Sequence, residues 1–510
     1  MVNSISQTQP QIQTKQQTKP SKTTKTSIFY INDVHSNLTN IEKLKVASDE
    51  FDAFVPSEST DKLKLSAGDI GVGRDKEFSK VAVAFQNAIG IMASAAGNHE
   101  FDLNKTDLVD VLKDAEYKFL GLNVDVPQNI DINKELRKNV INSYIQEQNG
   151  EKYGIIGLMP FDFAFHLSDP DEYRDFNVLM HEKTVPLLQK EINDMKSKGI
   201  NKIILLSHCG YDADKELAKS IEGIDVIIGG HTHDLIKDIE KDKNLFYSKK
   251  TGEPTIITQA GRDGNYFGVL NLEFNDKGII TKAQNNVNST EDFPRSNVMK
   301  YFTDKILGKP QILGTIRTAP KHKHSLIKEN PSADFVLDAE KSELGVDLVL
   351  INSGNFRFSL ESGNLTDRDL KILTPFDNKV WIIKLTEKEI VDALKIGAKS
   401  LTEEDYSPGI IQCSGLKYTM SKAGEVKTAT FIDKEGKEIP IDVNNPNPFK
   451  TYSVATDDYI AKGGNKYFTD KTDAVITRFN FDKNKLVGDY MKKRTTPVDI
   501  KTDGRITIVD

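Results

Sequence analysis

Cysteine is nearly missing: Cys209 and Cys413 are the only two in 510 residues, and they lie far apart in sequence. That excludes a disulfide framework and a thiolate metal cluster. Long apolar runs are missing too, since no stretch approaches the roughly 20 apolar residues of a membrane-spanning helix. There is no basic excess either, with 68 Lys and Arg against 75 Asp and Glu and a net charge of −7. A broad face for a nucleic acid polymer needs the opposite balance, whereas a small anionic substrate needs only a local positive site. Residues 1–26 contain no acidic residue and no apolar core, although a secretory signal requires about 7–15 apolar residues after its basic start. This Gln-, Thr- and Lys-rich segment reads as a flexible, disordered tail, which favours a cytoplasmic location.

What is present is a globular composition, 38% hydrophobic and 28% charged, on a chain too long for one core, so two domains are expected. From Ser27 onward short apolar runs alternate with helix-compatible stretches, which predicts a mixed α/β domain over 27–290. Its strands are expected at SIFYI (27–31), KLKLS (62–66), IGIMAS (89–94), KFLGLNV (118–124), YGIIGLM (153–159), KIILLS (202–207), DVIIGG (225–230), PTIITQ (254–259) and GVLNLEF (268–274). A polar, proline-bearing break at 284–295 opens a linker over 291–311, with a helix at 296–307 ending before Gly308-Lys309-Pro310. A second domain follows over 312–510, with strands expected at 346–352, 379–385, 415–420, 451–458 and 505–509 and helices at 332–344 and 386–397.

Five apolar runs lead straight into polar, metal-capable residues. SIFYI runs into Asn32-Asp33-Val34-His35, KLKLS into Gly68-Asp69, IGIMAS into Gly97-Asn98-His99-Glu100-Phe101-Asp102, KIILLS into His208, and DVIIGG into His231-Thr232-His233. Residues at the carboxyl ends of several strands can build one site although they are distant in sequence. Carboxylates can bridge two cations, imidazoles offer neutral nitrogen and an amide offers oxygen. On an extended segment, Asp33 and His35 would point to the same side. A single histidine after a strand is ordinarily a packing residue, but five of the nine histidines (His35, His99, His208, His231, His233) fall at these strand ends. Cys209, beside His208, reads as a small packed residue rather than a nucleophile.

This ordered set resembles the calcineurin-like metallophosphatases, and Gly-Asn-His-Glu-Phe-Asp (97–102) followed by a second domain resembles their 5′-nucleotidase branch. That branch includes UDP-sugar hydrolases and 2′,3′-cyclic-nucleotide phosphodiesterases. The resemblance implies an α+β (mixed α/β) protein: a four-layer α/β/β/α sandwich, a connecting helix and a C-terminal α+β substrate-specificity domain. It implies two divalent metal ions, with Asp33, His35 and His233 holding one, Asn98, His208 and His231 the other, and Asp69 bridging. Mixed Asp, His and Asn ligation suits Mn, Zn, Co or Fe. His99 and Asp102 match the family's catalytic dyad, and Glu100 has no role assignable from its chemistry.

In the second half, Asn352-Ser353-Gly354-Asn355-Phe356-Arg357 resembles the family's Asn-x-Gly-x-x-Arg segment, in which Asn and Arg meet substrate. Pro375-Phe376-Asp377-Asn378 and Gly463-Gly464-Asn465-Lys466-Tyr467 resemble its two aromatic turns, which implies a base held between Phe376 and Tyr467. Asp473, with Asp470 as rival, is the expected polar contact to the nucleoside. Lys328 stands where the family often has a phosphate-clamping arginine, and it lacks that planar fork; Lys321-His322-Lys323-His324 reads as a solvated loop. The expected activity is release of phosphate from nucleoside 5′-monophosphates. A cyclic-nucleotide phosphodiesterase, a nucleotide-sugar pyrophosphatase and an inactive nucleotide-binding protein are the alternatives. The resemblance leaves a periplasmic or extracellular location open, and no oligomeric state follows.

Overall fold

The computed structural model describes residues 23–127, 129–167, 171–320, 325–376, 378–402 and 409–510. They divide into two compact units between Gly308 and Lys309. The expected tail lies outside the described residues up to residue 22, but its end does not: the first strand is Thr24–Ile31. Thr24 pairs with Phe274 and Thr26 with Leu272, so backbone pairing extends the strand beyond its apolar run. The segment Lys321-His322-Lys323-His324 and Asp377 also lie outside the described residues.

The first unit is built on two sheets. One has the order Ile280–Ser289, Tyr266–Phe274, Thr24–Ile31, Asp61–Ser66, Ala93–Ala95, Lys118–Leu120, Val140–Ile141; the other runs Leu245–Tyr247, Pro254–Thr258, Val226–Gly229, Ile203–Ser207, Glu151–Leu158, Ser143–Gln148. Alternation along each strand assigns residues to layers. Ile204 and Leu206 pack between the sheets with Ile28, Tyr30, Leu63, Leu65 and Leu120. Ile203 and Leu205 face the other way, onto Leu188, Ile192 and Met195 of helix His181–Ser197 and Leu217 of helix Tyr211–Ser220. Phe29 of the first sheet packs against Phe51 of helix Leu38–Phe54. The result is the expected α/β/β/α sandwich.

One local expectation needs correction. The run 89–94 is not a strand throughout: Ile89 closes helix Lys76–Ile89, Gly90 turns the chain at φ +77°, and only Ala93–Ala95 pairs. The helix expected at 296–307 is present as Asn297–Leu307, with Met299 and Thr303 buried and Arg295 Nε donating to the buried Glu42 carboxylate at 2.5 Å.

The second unit is α+β, with a five-stranded sheet in the order Ile411–Ser414, Leu348–Asn352, Thr451–Asp457, Val380–Thr386, Val475–Arg478 and a four-stranded sheet Glu438–Ile441, Val426–Ile432, Leu416–Ser421, Ile506–Val509. Helix Pro331–Leu344 starts on the Asn330 side chain, which accepts from Ser332 and Ala333 N–H, and stops at left-handed Gly345. Helix Glu387–Ala398 opens with a capping box of Thr386 and Glu389.

The two sheets of the first unit approach closely at Gly157, where an added Cβ would stand 2.3 Å from Leu120 Cβ and 2.7 Å from its carbonyl oxygen. Gly157→Ala is therefore expected to cost on the order of 1–3 kcal/mol, seen as a lower denaturant midpoint at unchanged m-value. An unchanged midpoint would mean the layers part there freely.

Candidate metal centre

The sheet order explains how the candidate ligands meet. Thr24–Ile31, Asp61–Ser66 and Ala93–Ala95 are adjacent and parallel, so Asp33, Asp69 and Asn98 leave one edge of the first sheet together. Ile203–Ser207 and Val226–Gly229 are likewise adjacent and parallel, and deliver His208, His231 and His233 from the second. Pairing continues past the strand ends, since the N–H groups of Asp33, His35 and Ser36 donate to the carbonyls of Gly68, Asp69 and Ile70 at 2.9, 3.1 and 2.8 Å. The segment is not extended, as the Asp-x-His spacing suggested. Asp33, His35, Asp69, His231 and His233 all have left-handed φ, between +48° and +77°. Such backbone is disfavoured for side chains larger than glycine and persists where surrounding structure enforces it.

Asp33, His35, Asp69, Asn98 and His208 are all at most 3% exposed. His208 Nε2 lies 3.0 Å from Asp69 Oδ2 and 3.8 Å from Asp33 Oδ1; His35 Nε2 lies 3.7 and 3.8 Å from the same two oxygens. His233 Nε2 is 3.3 Å from Asp33 Oδ1, and His231 Nδ1 is 3.1 Å from Asn98 Oδ1. Asp33, His35 and His233 form one group and Asp33, Asp69 and His208 another, each with its ligand atoms within 4.8 Å of one another. His208 donates from Nδ1 to Ala67 O at 2.6 Å, which leaves Nε2 for the centre. Nε2 of His35 and Nε2 of His208 are buried without a hydrogen-bond partner. Partnerless buried nitrogens beside carboxylates fit cation ligands. Burial alone would raise the Asp33 carboxyl, yet His233 and His208 hold it down to about 2. Against its own burial, His208 is pushed up to about 10 by Asp69 and Asp33.

His99 donates from Nδ1 to Asp102 Oδ2 at 2.8 Å, and that oxygen also accepts Gly73 N–H at 2.7 Å. The His99 N–H itself donates to Asp69 Oδ1 at 2.8 Å, and its ring meets His35 edge-on. Two side chains were missed from sequence, and Glu100, left there without a role, acquires one. Glu100 is a loop staple: its carboxylate accepts from the N–H groups of Gly97, Asp69 and Ile70 at 2.9, 3.1 and 2.8 Å. Asp263 accepts from His35 Nδ1 at 3.0 Å, and Asp162 from His231 Nε2 at 3.2 Å. Each of the last two follows a strand, Pro254–Thr258 or Glu151–Leu158, by four or five residues, so a longer reach past strand ends would have found them. Cys209 packs its Sγ on Met159 O, and burial pushes its thiol well up, in keeping with a packed residue.

In the second unit Asn352 ends its strand, buried, with Oδ1 lacking a partner. Arg357 lies over the half-buried Phe376 ring, 5.3 Å from its centroid. Tyr467 departs from expectation: it is 2% exposed, packed with Ile460 and Phe468, and its hydroxyl donates to Gly409 O at 2.5 Å. A ring packed on all sides offers no open face for a base, so the two-sided clamp is not formed here. Asp473 and Asp470 are exposed, and Asp470 caps its own turn by accepting from Thr472. Lys328 is exposed, with its carbonyl accepting from Gln412.

Two known families match the chain. The calcineurin-like phosphoesterase family matches residues 26–235, and the 5′-nucleotidase C-terminal domain matches 312–470. The chain thus carries a calcineurin-like phosphoesterase domain followed by a 5′-nucleotidase C-terminal domain. Its relatives are 5′-nucleotidases and metallophosphoesterases, metal-dependent phosphoric ester hydrolases, and a calcineurin-like phosphoesterase domain implies divalent metal ions. The chain is 27% identical to the trifunctional nucleotide phosphoesterase protein YfkN of Bacillus subtilis over 94% of its own length and 34% of that protein's. The chain thus spans about a third of that relative. It is 26% identical to a probable 5′-nucleotidase of Treponema pallidum, covering 87% of each chain. Its fold matches the crystal structure of a 5′-nucleotidase precursor from Thermus thermophilus with TM-score 0.76 and 24% identity, covering 95% of this chain and 99% of that one. Among the described residues, no helix is long and apolar enough to cross a membrane.

At Gly97 an added Cβ would stand 2.1 Å from Asp69 Oδ1. Gly97→Ala is expected to displace that carboxylate and lower the metal content left after dialysis, measured by elemental analysis. Metal content equal to the parent's would separate Asp69 from the centre.

Proposed function

We propose that this phosphoesterase is a 5′-nucleotidase that hydrolyses nucleoside 5′-monophosphates at a centre for two divalent cations. The observation that carries the two-cation reading is the pair of buried, partnerless Nε2 atoms on His35 and His208, both facing Asp33 and Asp69. Asp33, His35 and His233 would hold one ion and Asn98, His208 and His231 the other, with Asp69 between them. The donor set of carboxylate, imidazole and amide suits Mn, Zn, Co or Fe. What such a pair supplies when bound is neutralisation of phosphoryl charge and activation of water.

The chain's own groups then have defined tasks. His99 is the proton donor to the phosphoryl group or its departing oxygen, through Nε2, because Nδ1 is engaged by Asp102. Asp102 holds the ring's tautomer and is itself fixed by Gly73 N–H. Hydrogen bonding of His99 N–H to Asp69 ties the dyad to the ligand loops, so donor and ligands share one frame. In the second unit Asn352 and Arg357 are the proposed substrate contacts, with Phe376 as the stacking surface and Asp473 as a polar contact to the nucleoside. Nucleotides as the substrate class are supported by the names of the Bacillus and Treponema relatives. Several activities reside in the Bacillus protein by name, which supports a second reading, hydrolysis of 2′,3′-cyclic nucleotides at the same centre. Lys328 in place of an arginine bears on the choice, because a point charge fixes phosphate less tightly than a fork.

A panel of AMP, UMP, 2′,3′-cyclic AMP and UDP-glucose is expected to give the highest kcat/KM with a 5′-monophosphate; a cyclic nucleotide or UDP-glucose ahead of both would overturn the first reading. His99→Ala is expected to cut kcat by about 10²–10⁴ with metal content unchanged. Parent-level turnover in that variant would remove His99 from the mechanism.

A further inference from the structure

A neutral imidazole offers a lone pair from only one nitrogen, and a hydrogen bond at the other decides which. We propose that Asp263 and Asp162 are positioning residues that lock His35 and His231 in opposite tautomers, each setting the ligand atom of a different cation; this rests on the two-cation reading above.

Asp263 is held on every side. It is 3% exposed, its Oδ1 accepts from His35 Nδ1 at 3.0 Å, and its Oδ2 accepts from Arg262 Nε at 2.8 Å. Its N–H donates to Asp33 O at 2.5 Å, its carbonyl accepts from Asn40 Nδ2 at 2.8 Å, and its φ is +60°. With the proton of His35 fixed on Nδ1, the lone pair sits on Nε2, the atom that is buried without a partner between Asp33 and Asp69.

At His231 the order is reversed. Asp162 Oδ2 accepts from His231 Nε2 at 3.2 Å and from His166 Nε2 at 2.8 Å, and Asp162 Oδ1 is also 3.2 Å from His231 Nε2. Nδ1 is then the lone-pair atom, and it faces the carbonyl oxygen of Asn98 at 3.1 Å. In that tautomer Nδ1 and the Asn98 amide oxygen are both lone-pair atoms on one side of the centre, as two ligands of one cation would be. The locks differ in strength, because the Asp162 side chain is 47% exposed and screened by water whereas that of Asp263 is 5% exposed. Loss of such a partner typically weakens a metal site by about 10–100-fold, so Asp263→Asn belongs near the upper figure and Asp162→Asn near the lower. Asn keeps the shape and one acceptor but drops the charge.

The test uses the full chain, stripped by chelator and titrated with Mn²⁺ alone against a competing chelator, with metal content and both affinities read out. Two ions are expected on the parent. Asp263→Asn should weaken one ion by about 100-fold and Asp162→Asn one ion by about 10-fold, the other ion keeping parental affinity in each case. The double variant should weaken both, and the thermal midpoints of the stripped proteins should be equal. Parental affinity for both ions in either single variant would overturn the proposal, as would equal weakening of both ions together with a lowered midpoint, the mark of a merely structural role. A third ion abolished by His166→Ala would overturn the assignment of Asp162, making it a ligand in its own right. Fewer than two ions on the parent would instead fail the two-cation reading, and the proposal with it.

Discussion

Asp33 and Asp69 stand at the ends of adjacent parallel strands, out of water, with their oxygens and His208 within 4.8 Å of one another. Carboxylates so placed repel each other and have lost their hydration, and only nearby positive charge makes both ionised forms tolerable. The surroundings answer that demand. Imidazoles arrive from the opposite sheet, His231 N–H donates to both Asp33 oxygens, and Asn32 Nδ2 donates to Asp33 Oδ2. The balance is local: the chain as a whole is acidic, and its charge count carries no hint of a site built around concentrated negative charge.

The fold serves this constraint through layer geometry. A parallel run of strands brings its carboxyl ends to one edge, and two sheets packed face to face bring two such edges together. Alternation then spends one face of each strand on the inter-sheet core and the other on the helices. No strand residue within either core needs to be polar for the site, since every candidate ligand lies just beyond a strand end.

Much of this could be read in the sequence, for a physical reason. Ligands that follow apolar runs at once leave a sharp polarity step, and Asp33, Asp69, Asn98, His208 and His231 all sit on one. Layer architecture followed from the family resemblance and from runs such as 202–207, whose residues are buried on both faces. What escaped is what lacks such a step. Asp263 lies farther along its loop among other polar residues, Asp162 lies four residues past its strand between Phe161 and Phe163, and Glu100 acts by bonding backbone N–H groups whose convergence only the fold creates. Residues 89–94 read as a strand because Ile89 and Ile91 are both buried, although a helix end and a turn bury them just as well. Tyr467 matched an aromatic turn in spacing, but spacing carries no information about which neighbours cover a ring.

The continued backbone pairing of the loops after Ile31 and Ser66, reinforced by the Glu100 staple, has a kinetic meaning. A site whose ligands hang on mobile loops must order them each time an ion arrives, and the ion then leaves when the loops fray. Here backbone hydrogen bonds tie the loops to one another, independently of the ligand side chains. Exchange of an ion held there would then break ligand bonds one at a time against a frame that the backbone itself maintains.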